Sequence, residues 1–287
     1  MSRLSPNFED VQAHYDLNDE FFALFLDPTR TYSCAYFERD DMTLQEAQIA
    51  KVDLSLDKCG LRAGMRMLDV GCGWGATVRR AAERRQVDAI GLTLSQNQYD
   101  YVRRLDDVPP GSATVEVRLM GWEGFHEPVD RIISIGAFEH FRGERHLDFF
   151  CRCHELLPEG GRMLLHTIVV PRRTTMESKG IPTTHEQVLF AKFIRDEIFP
   201  GGQLCSPEAI ELRAHHVGFR VEQTQSLRLH YARTLDCWSE ALVSKRQQAV
   251  ELTSVEVYDR YVKYLTGCAD LFRSGHADVM QFTLRRC

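Results

Sequence analysis

An α/β fold built on a doubly wound, mostly parallel sheet is what this 287-residue sequence predicts. Three observations carry the prediction. Short apolar runs alternate with segments of helical period between about residues 61 and 170. A glycine-rich turn, Gly71-Cys72-Gly73-Trp74-Gly75, joins the first of those runs to the helix that follows it. The rhythm lapses after Pro171 and resumes at Ser206, which places the later elements in the same sheet. Strands alternating with helices at this spacing make parallel pairs joined by crossovers.

The elements follow in order. Thr43-Leu44-Gln45-Glu46 is a capping box, and Leu44, Ala47, Ala50 and Leu54 recur at helical spacing until Gly60 stops the helix. "MRMLDV" is a short apolar strand ending near Val70, and a helix starts near Gly75 beyond the glycine turn. "VDAIGLTL" is a second strand, and Ser95-Gln96-Asn97-Gln98 is a second capping box opening the next helix. "ATVEVRLM" and "DRIISIGAF" are the third and fourth strands, the latter running up to Glu139. "HLDFFCRCHELL" is helical to Pro158, and "PEGG" turns the chain into "RMLLHTIVV". "HEQVLFAKFIRDEIFPGG" is an apolar-rich helix ended by Pro200-Gly201-Gly202 and interrupts the alternation as an insertion. A capped helix from Ser206, the strand "FRVEQTQSL", two longer helices over 232 to 267 and the strand "DVMQFTLRR" complete the pattern.

Composition excludes several classes. A formal net charge of −6 gives no sign of a general nucleic-acid binder, although Arg79/Arg80, Arg84/Arg85, Arg103/Arg104 and Arg172/Arg173 form local doublets. Solvated helix faces are the favoured reading of those doublets, with an acidic carrier protein docking by Arg79, Arg80 or their neighbours as the second. Nine cysteines with no CxxC pair suggest neither a disulfide framework nor a zinc site, and no metal is expected. The amino-terminal stretch lacks an apolar core and no run of about 18 apolar residues occurs, so a reduced cytoplasmic compartment is the default expectation.

Glycines between a strand and a helix let a ligand approach the backbone and the helix N-terminus. Gly71-x-Gly73-x-x-Ala76 also satisfies a dinucleotide fingerprint. That reading expects an acidic residue about 20 positions on to hold the ribose, and the region reads Gly91-Leu92-Thr93-Leu94-Ser95. NAD is therefore disfavoured, and S-adenosylmethionine is the other ligand such a turn takes. "LDVGCGWG", "VDRIISIGAF" and "ELLPEGGRMLLH" resemble, in order and spacing, the motifs of methyltransferases that bind it.

The whole chain resembles the cyclopropane fatty acid synthase superfamily, and closely the mycolic acid cyclopropane synthases. The strings that carry the likeness run from "VQAHYDLNDEFFALFLDPTRTYSCAYFERDDMTLQEAQIAK" through "GLTLSQNQ", "EPVDRIISIGAFEHF", "EIFPGG" and "HYARTLD" to "YLTGCADLF". The resemblance implies one Rossmann-like class I methyltransferase domain with a seven-stranded, mostly parallel sheet. In it residues 1–60 cover the cofactor, 61–170 form the cofactor-binding core, 171–205 an inserted helical lid, and 206–287 the rest of the core with acyl-tunnel helices. It also implies methyl transfer from S-adenosylmethionine to a cis double bond of a long acyl chain, usually a meromycolyl chain on acyl carrier protein. An alkene offers no proton to remove, so the methyl is attacked by the π bond and a carbocation is left. The site must then be dry, aromatic and furnished with one fixed base.

In the family that base is bicarbonate. The matching residues are Glu139, His166 and Tyr231 by side chain, with the backbones of Cys34 and Ile135. Taken singly, His166 also fits a core histidine, Tyr231 a helix-start aromatic and Glu139 a helix cap. Cofactor contacts carry over to Tyr32, Ser33, Met67, Leu68, Asp69, Val70, Gly71, Cys72, Gly73, Trp74, Gly75, Thr93, Leu94, Ser95, Gln96, Asn97, Gln98, Trp122 and Glu123. Tyr15, Phe199 and Tyr264 are the aromatic candidates for the acyl tunnel, and Cys268 is a further catalytic candidate, although direct transfer needs no covalent nucleophile. "LDDVPPGSATVEV" and "VVPRRTTMESKGIPTTHEQ" depart from the family's strings where carrier and lid contacts are expected. Relatives that let water capture the cation make hydroxylated, methyl-branched products instead.

Overall fold

The computed structural model describes residues 19–105 and 113–287. The described chain opens with a short helix, α1 (Asp19–Ala23), followed by α2 (Leu44–Cys59). Then come β1 (Arg66–Val70), α3 (Ala76–Arg85), β2 (Asp88–Thr93), α4 (Gln96–Arg104), β3 (Val115–Leu119), β4 (Arg131–Ile135), α5 (His146–Leu156) and β5 (Arg162–Val169). The remaining elements are α6 (Arg173–Ser178), α7 (His185–Phe193), α8 (Pro207–His216), β6 (Phe219–Ser226), α9 (Arg228–Ser244), α10 (Arg246–Leu252), α11 (Val255–Ser274) and β7 (Asp278–Arg286). Beyond Phe193 the backbone of α7 widens into a π-helical turn, Ile194–Ile198.

The seven strands form one sheet in the order β3-β2-β1-β4-β5-β7-β6. Every pair is parallel except the two that involve β7, which runs antiparallel to β5 and to β6. Helices cover both faces, and so β1, β4 and β5 read as nearly continuous apolar runs rather than alternating ones. The chain winds outward from β1 to β3 and then returns to build β4 and β5 on the other side. Strand order therefore reverses between β1 and β4, and the crevice at their carboxyl ends is where a doubly wound sheet binds ligands. The turns Gly71–Gly75 and Gly136–His140 open onto that crevice.

One core cluster locks α1 to the carboxyl-terminal helices through Phe21, Phe22, Phe25, Trp238, Tyr261 and Leu265. A second lies between the sheet and α5, with Phe138, Phe149, Phe150, Leu165 and Phe282. The capping box at Thr43 and Glu46 forms as expected, and Gly60 ends α2 in the left-handed conformation. The face α2 buries differs from the expected one. Ala50 and Leu54 are only partly buried, while Gln48, Lys51 and Ser55 go inside with Ala47, Val52, Leu56 and Cys59. Polar side chains occupy that face because it lies over the functional crevice.

Three further readings are corrected. Ser95 caps α4, but Gln98 turns its side chain to Thr93 instead of completing the reciprocal box. The two helices expected over 232 to 267 are three, spanning residues 228–274. Glu139 lies beyond β4, on a one-turn 3-10 helix, Phe138–His140, because the strand ends at Ile135 and Gly136 turns the chain at φ 68°. The arginine doublets are largely answered inside the fold: Arg80 makes a two-pronged pair with Asp53, Arg85 pairs with Asp57, Arg172 with Glu208 and Arg173 with Glu177.

Candidate functional site

Two cavities meet at the switch point. The floor of the first is Asp69, Val70 and the turn Gly71–Trp74, with Ala76 and Thr77 of the α3 N-terminus beside them. Gly71 stands at φ +83°, and a Cβ there would lie 2.4 Å from the Cβ of Ala137. Only glycine lets the β1 and β4 turns approach so closely. Thr93, Leu94 and Gln98 form the next wall, Thr93 donating to the Gln98 side-chain oxygen at 2.8 Å. Trp122 and Glu123 follow β3 onto the same cavity, the Trp122 ring resting against Phe141 and Phe149 and Glu123 pairing with Arg145 at 3.0 Å.

The fourth wall is the segment Arg30–Ser33, and α2 holds it in place. Gln48 Nε2 donates to the carbonyls of Thr31 and Ser33 at 3.2 and 2.7 Å, and Lys51 Nζ donates to Ser33 Oγ at 2.9 Å. Burial draws the Lys51 ammonium down to about 8, although the neighbouring anionic groups oppose it. Burial pushes the Asp69 carboxyl up to about 7 against the field of Lys51, and Asp69 Oδ1 has no hydrogen-bond partner. A buried, unpaired carboxylate oxygen in a ligand crevice is suited to a cationic group.

The second cavity, about 690 Å³, is mostly apolar, with Ile168, Val188, Ile194, Phe199, Leu235 and Leu271 among its walls. Tyr32, Ser33, Gly136 and His140 line both cavities and form the partition between them. Glu139, His166, Cys34, Tyr231, Tyr264 and Cys268 all face the second cavity, and Ile135 faces the first. Glu139 Oε1 accepts from the Ile168 amide at 2.7 Å, while Oε2 is shut off from solvent without a partner. His166 pairs across the sheet with Ile135, and its Nε2 is likewise buried and unpartnered. Tyr231, in the first turn of α9, packs its ring on Phe272, and Tyr32 donates its hydroxyl to that of Tyr264 at 3.3 Å. Burial raises the thiols of both Cys34 and Cys268, which makes each a poor nucleophile.

Burial pushes Glu139 up to about 7, with the Ile168 amide opposing. The folded protein thus keeps a proton that the unfolded chain releases from about pH 4.5, and binding more protons than the unfolded state means that stability falls as pH rises. Asp69 acts with the same sign. Glu139→Gln should therefore flatten the decline of Tm between about pH 4.5 and 7; slopes equal to those of the unmutated protein would mean that the carboxylate ionises without penalty.

A model of the family described as Mycolic acid cyclopropane synthetase matches residues 2–282. "Cyclopropane mycolic acid synthase 3" of Mycobacterium tuberculosis is 59% identical over 284 residues, 99% of each chain. The chain belongs to the mycolic acid cyclopropane synthetase family. It superposes on the cyclopropane synthase MmaA2 from Mycobacterium tuberculosis with a TM-score of 0.95, 57% identity and 99% of both chains covered. The mycolic acid cyclopropane synthase CmaA1 complexed with SAH and CTAB gives the same three figures. Coclaurine N-methyltransferase, 22% identical at a TM-score of 0.78, shares the fold. The protein is a methyltransferase of the cyclopropane-synthase type on a Rossmann-like class I sheet, in line with the methyltransferase reading of its glycine turn.

Within this family fold, several sequence-predicted contacts do not reach either cavity. Met67 and Leu68 point into the sheet's core clusters, Gly75 packs toward Val102, and Ser95, Gln96 and Asn97 stay off the wall in the first turn and cap of α4. Tyr15 lies outside the described residues. Several lining residues were not anticipated, among them Lys51, His140, Phe141 and Arg145. His140, adjacent to Glu139, is half-buried in the partition and drawn down to about 4 by desolvation, so it stands there neutral. Among the described residues no group of three or more His, Cys, Asp or Glu is gathered to hold a metal.

Proposed function

We propose that the protein transfers a methyl group from S-adenosylmethionine to a cis double bond of a long unsaturated acyl chain of the mycolic type and closes a cyclopropane ring, with bicarbonate as the base. One observation carries this: two buried polar atoms without partners, Glu139 Oε2 and His166 Nε2, face a mostly apolar cavity that shares a wall with the glycine-turn crevice. The crevice suits the cofactor. Asp69 Oδ1 would take its ammonium, the turn at Gly71–Gly73 its backbone, and Trp122 with Glu123 its adenosine end. When bound, S-adenosylmethionine supplies an electrophilic methyl on a sulfonium.

The chain's own residues do the rest. The apolar walls exclude water from the intermediate cation, and the rings of Tyr32, Tyr231, Tyr264 and Phe199 present negative faces to it. Glu139, His166 and Tyr231, with the backbones of Cys34 and Ile135, would hold bicarbonate where a proton leaves the added methyl. The helices of residues 171–205 serve as the lid over the acyl chain, and an acyl carrier protein delivers that chain. Carrier docking would draw on Arg79, Arg80 or their neighbours, with Arg80 held in place by Asp53. Nine free cysteines suit a reducing, cytoplasmic setting.

Mass spectrometry of acyl products tests the reading. A gain of one CH2 per double bond is expected. A gain of CH2 plus one water would replace ring closure by hydroxylation, and tight calorimetric binding of NAD without S-adenosylhomocysteine would overturn the assignment.

A further inference from the structure

We infer that Lys58 and Gln281 are positioning residues that fix His166 in a single tautomer, with its proton on Nε2 and directed into the acyl cavity. The inference rests on the role proposed for His166 above and says how that side chain is made a donor.

Strand register assembles the row. Gln225 on β6 faces Gln281 on β7, and Gln281 faces His166 on β5. α2 lies across this row and adds Ser55 and Lys58. Gln281 is fully buried, and its amide has partners at both ends. Lys58 Nζ donates to its oxygen at 2.6 Å. A lysine ammonium donates only, so the oxygen end of the amide is identified. The opposite end, Nε2, lies 3.1 Å from Ser55 Oγ and 3.2 Å from His166 Nδ1. The Ser55 hydroxyl proton is spent on the Lys51 carbonyl at 2.8 Å, which leaves its oxygen to accept. Both amide protons of Gln281 are then assigned, one to Ser55 and one to His166 Nδ1.

An Nδ1 that accepts carries no proton. Desolvation and the fields of Lys51 and Lys58 keep the imidazole neutral, so its one ring proton sits on Nε2. Nε2 is the buried ring nitrogen without a partner in the structure. The cavity that Glu139 Oε2 also faces is thereby given a fixed N–H, one donor and one acceptor on the same cavity. Bicarbonate, with anionic oxygens and one O–H, matches that pair. An imidazole free to exchange tautomers would present a lone pair to an anion for part of the time.

Long-range proton–nitrogen correlation spectra of the histidine-labelled protein read the tautomer directly. The expected result is an Nε2–H imidazole at His166. Gln281→Glu keeps a partner for Lys58 but offers Nδ1 only acceptor oxygens, so the proton should move to Nδ1. In the same variant turnover should fall about tenfold or more, with a higher half-saturating bicarbonate concentration and unchanged S-adenosylhomocysteine affinity. Lys58→Met frees the amide to reverse and should give mixed tautomers, whereas Lys58→Arg, another pure donor, should restore Nε2–H. An Nδ1–H signal in the unmutated protein, or an Nε2–H signal that persists in Gln281→Glu, would overturn the inference. A tautomer that moves as expected while bicarbonate dependence stays fixed would uphold the relay and sink the role proposed for bicarbonate.

Discussion

Glu139→Gln should give a folded protein that binds S-adenosylhomocysteine almost as before and turns over about 10²-fold more slowly or worse, the scale of a displaced acid–base group. The fold survives because the amide oxygen of glutamine can still accept from the Ile168 amide, the 2.7 Å bond that anchors Oε1. What changes is Oε2, which becomes a donor where an acceptor without a partner stood. The loss should appear in kcat and not in cofactor affinity, since Glu139 lines only the second cavity. Depleting bicarbonate should slow the unmutated enzyme and add little to the variant's defect. A variant that works at the normal rate, or fails solely by unfolding, would reduce Glu139 to a structural clamp on β5.

Gly71→Ala should weaken S-adenosylhomocysteine binding by on the order of 10²-fold in calorimetry. Two effects add. A side chain in the left-handed region costs about 1–2 kcal/mol, and the new Cβ would stand 2.4 Å from Ala137 Cβ, so one of the two turns that define the crevice must retreat. Gly73→Ala separates the two effects. Gly73 is also at positive φ, but a Cβ there meets nothing within 4 Å. It should lower Tm modestly and weaken S-adenosylhomocysteine binding less than Gly71→Ala does, any loss coming from strain and from the cofactor's own approach to the turn; equal losses in the two variants would show that the approach of Ala137 does not govern the site.

Much of the sheet was legible in the sequence because strand and helix periods are local. The glycine turn declared itself for the same reason, since glycine is the residue most at ease at positive φ between a strand and a helix. Glu139, His166 and Tyr231 come from three separate segments, and it was the family likeness that gathered them. Lys51, Lys58 and Gln281 escaped. A lysine on a helix reads as a solvated charge, and a glutamine in a terminal strand reads as an edge polar; their burial depends on α2 crossing β5, β7 and β6. The buried face of α2 was misjudged for that reason, with Gln48, Lys51 and Ser55 occupying positions that a plain core would fill with aliphatics.

The antiparallel β7 carries a consequence for how the molecule comes into being. It follows every other strand in the chain yet lies between β5 and β6 in the sheet. During synthesis, β6 has no strand to join until residues 278–286 have emerged. The pairing that sets Gln281 against His166 spans 115 residues, a long loop to close and a slow contact to form. Until then β5 presents an open edge. The acyl cavity and its histidine should thus be the last part of the protein to mature, after the glycine-turn half has its strands in register, and a nascent chain halted before β7 would expose an apolar strand to its neighbours.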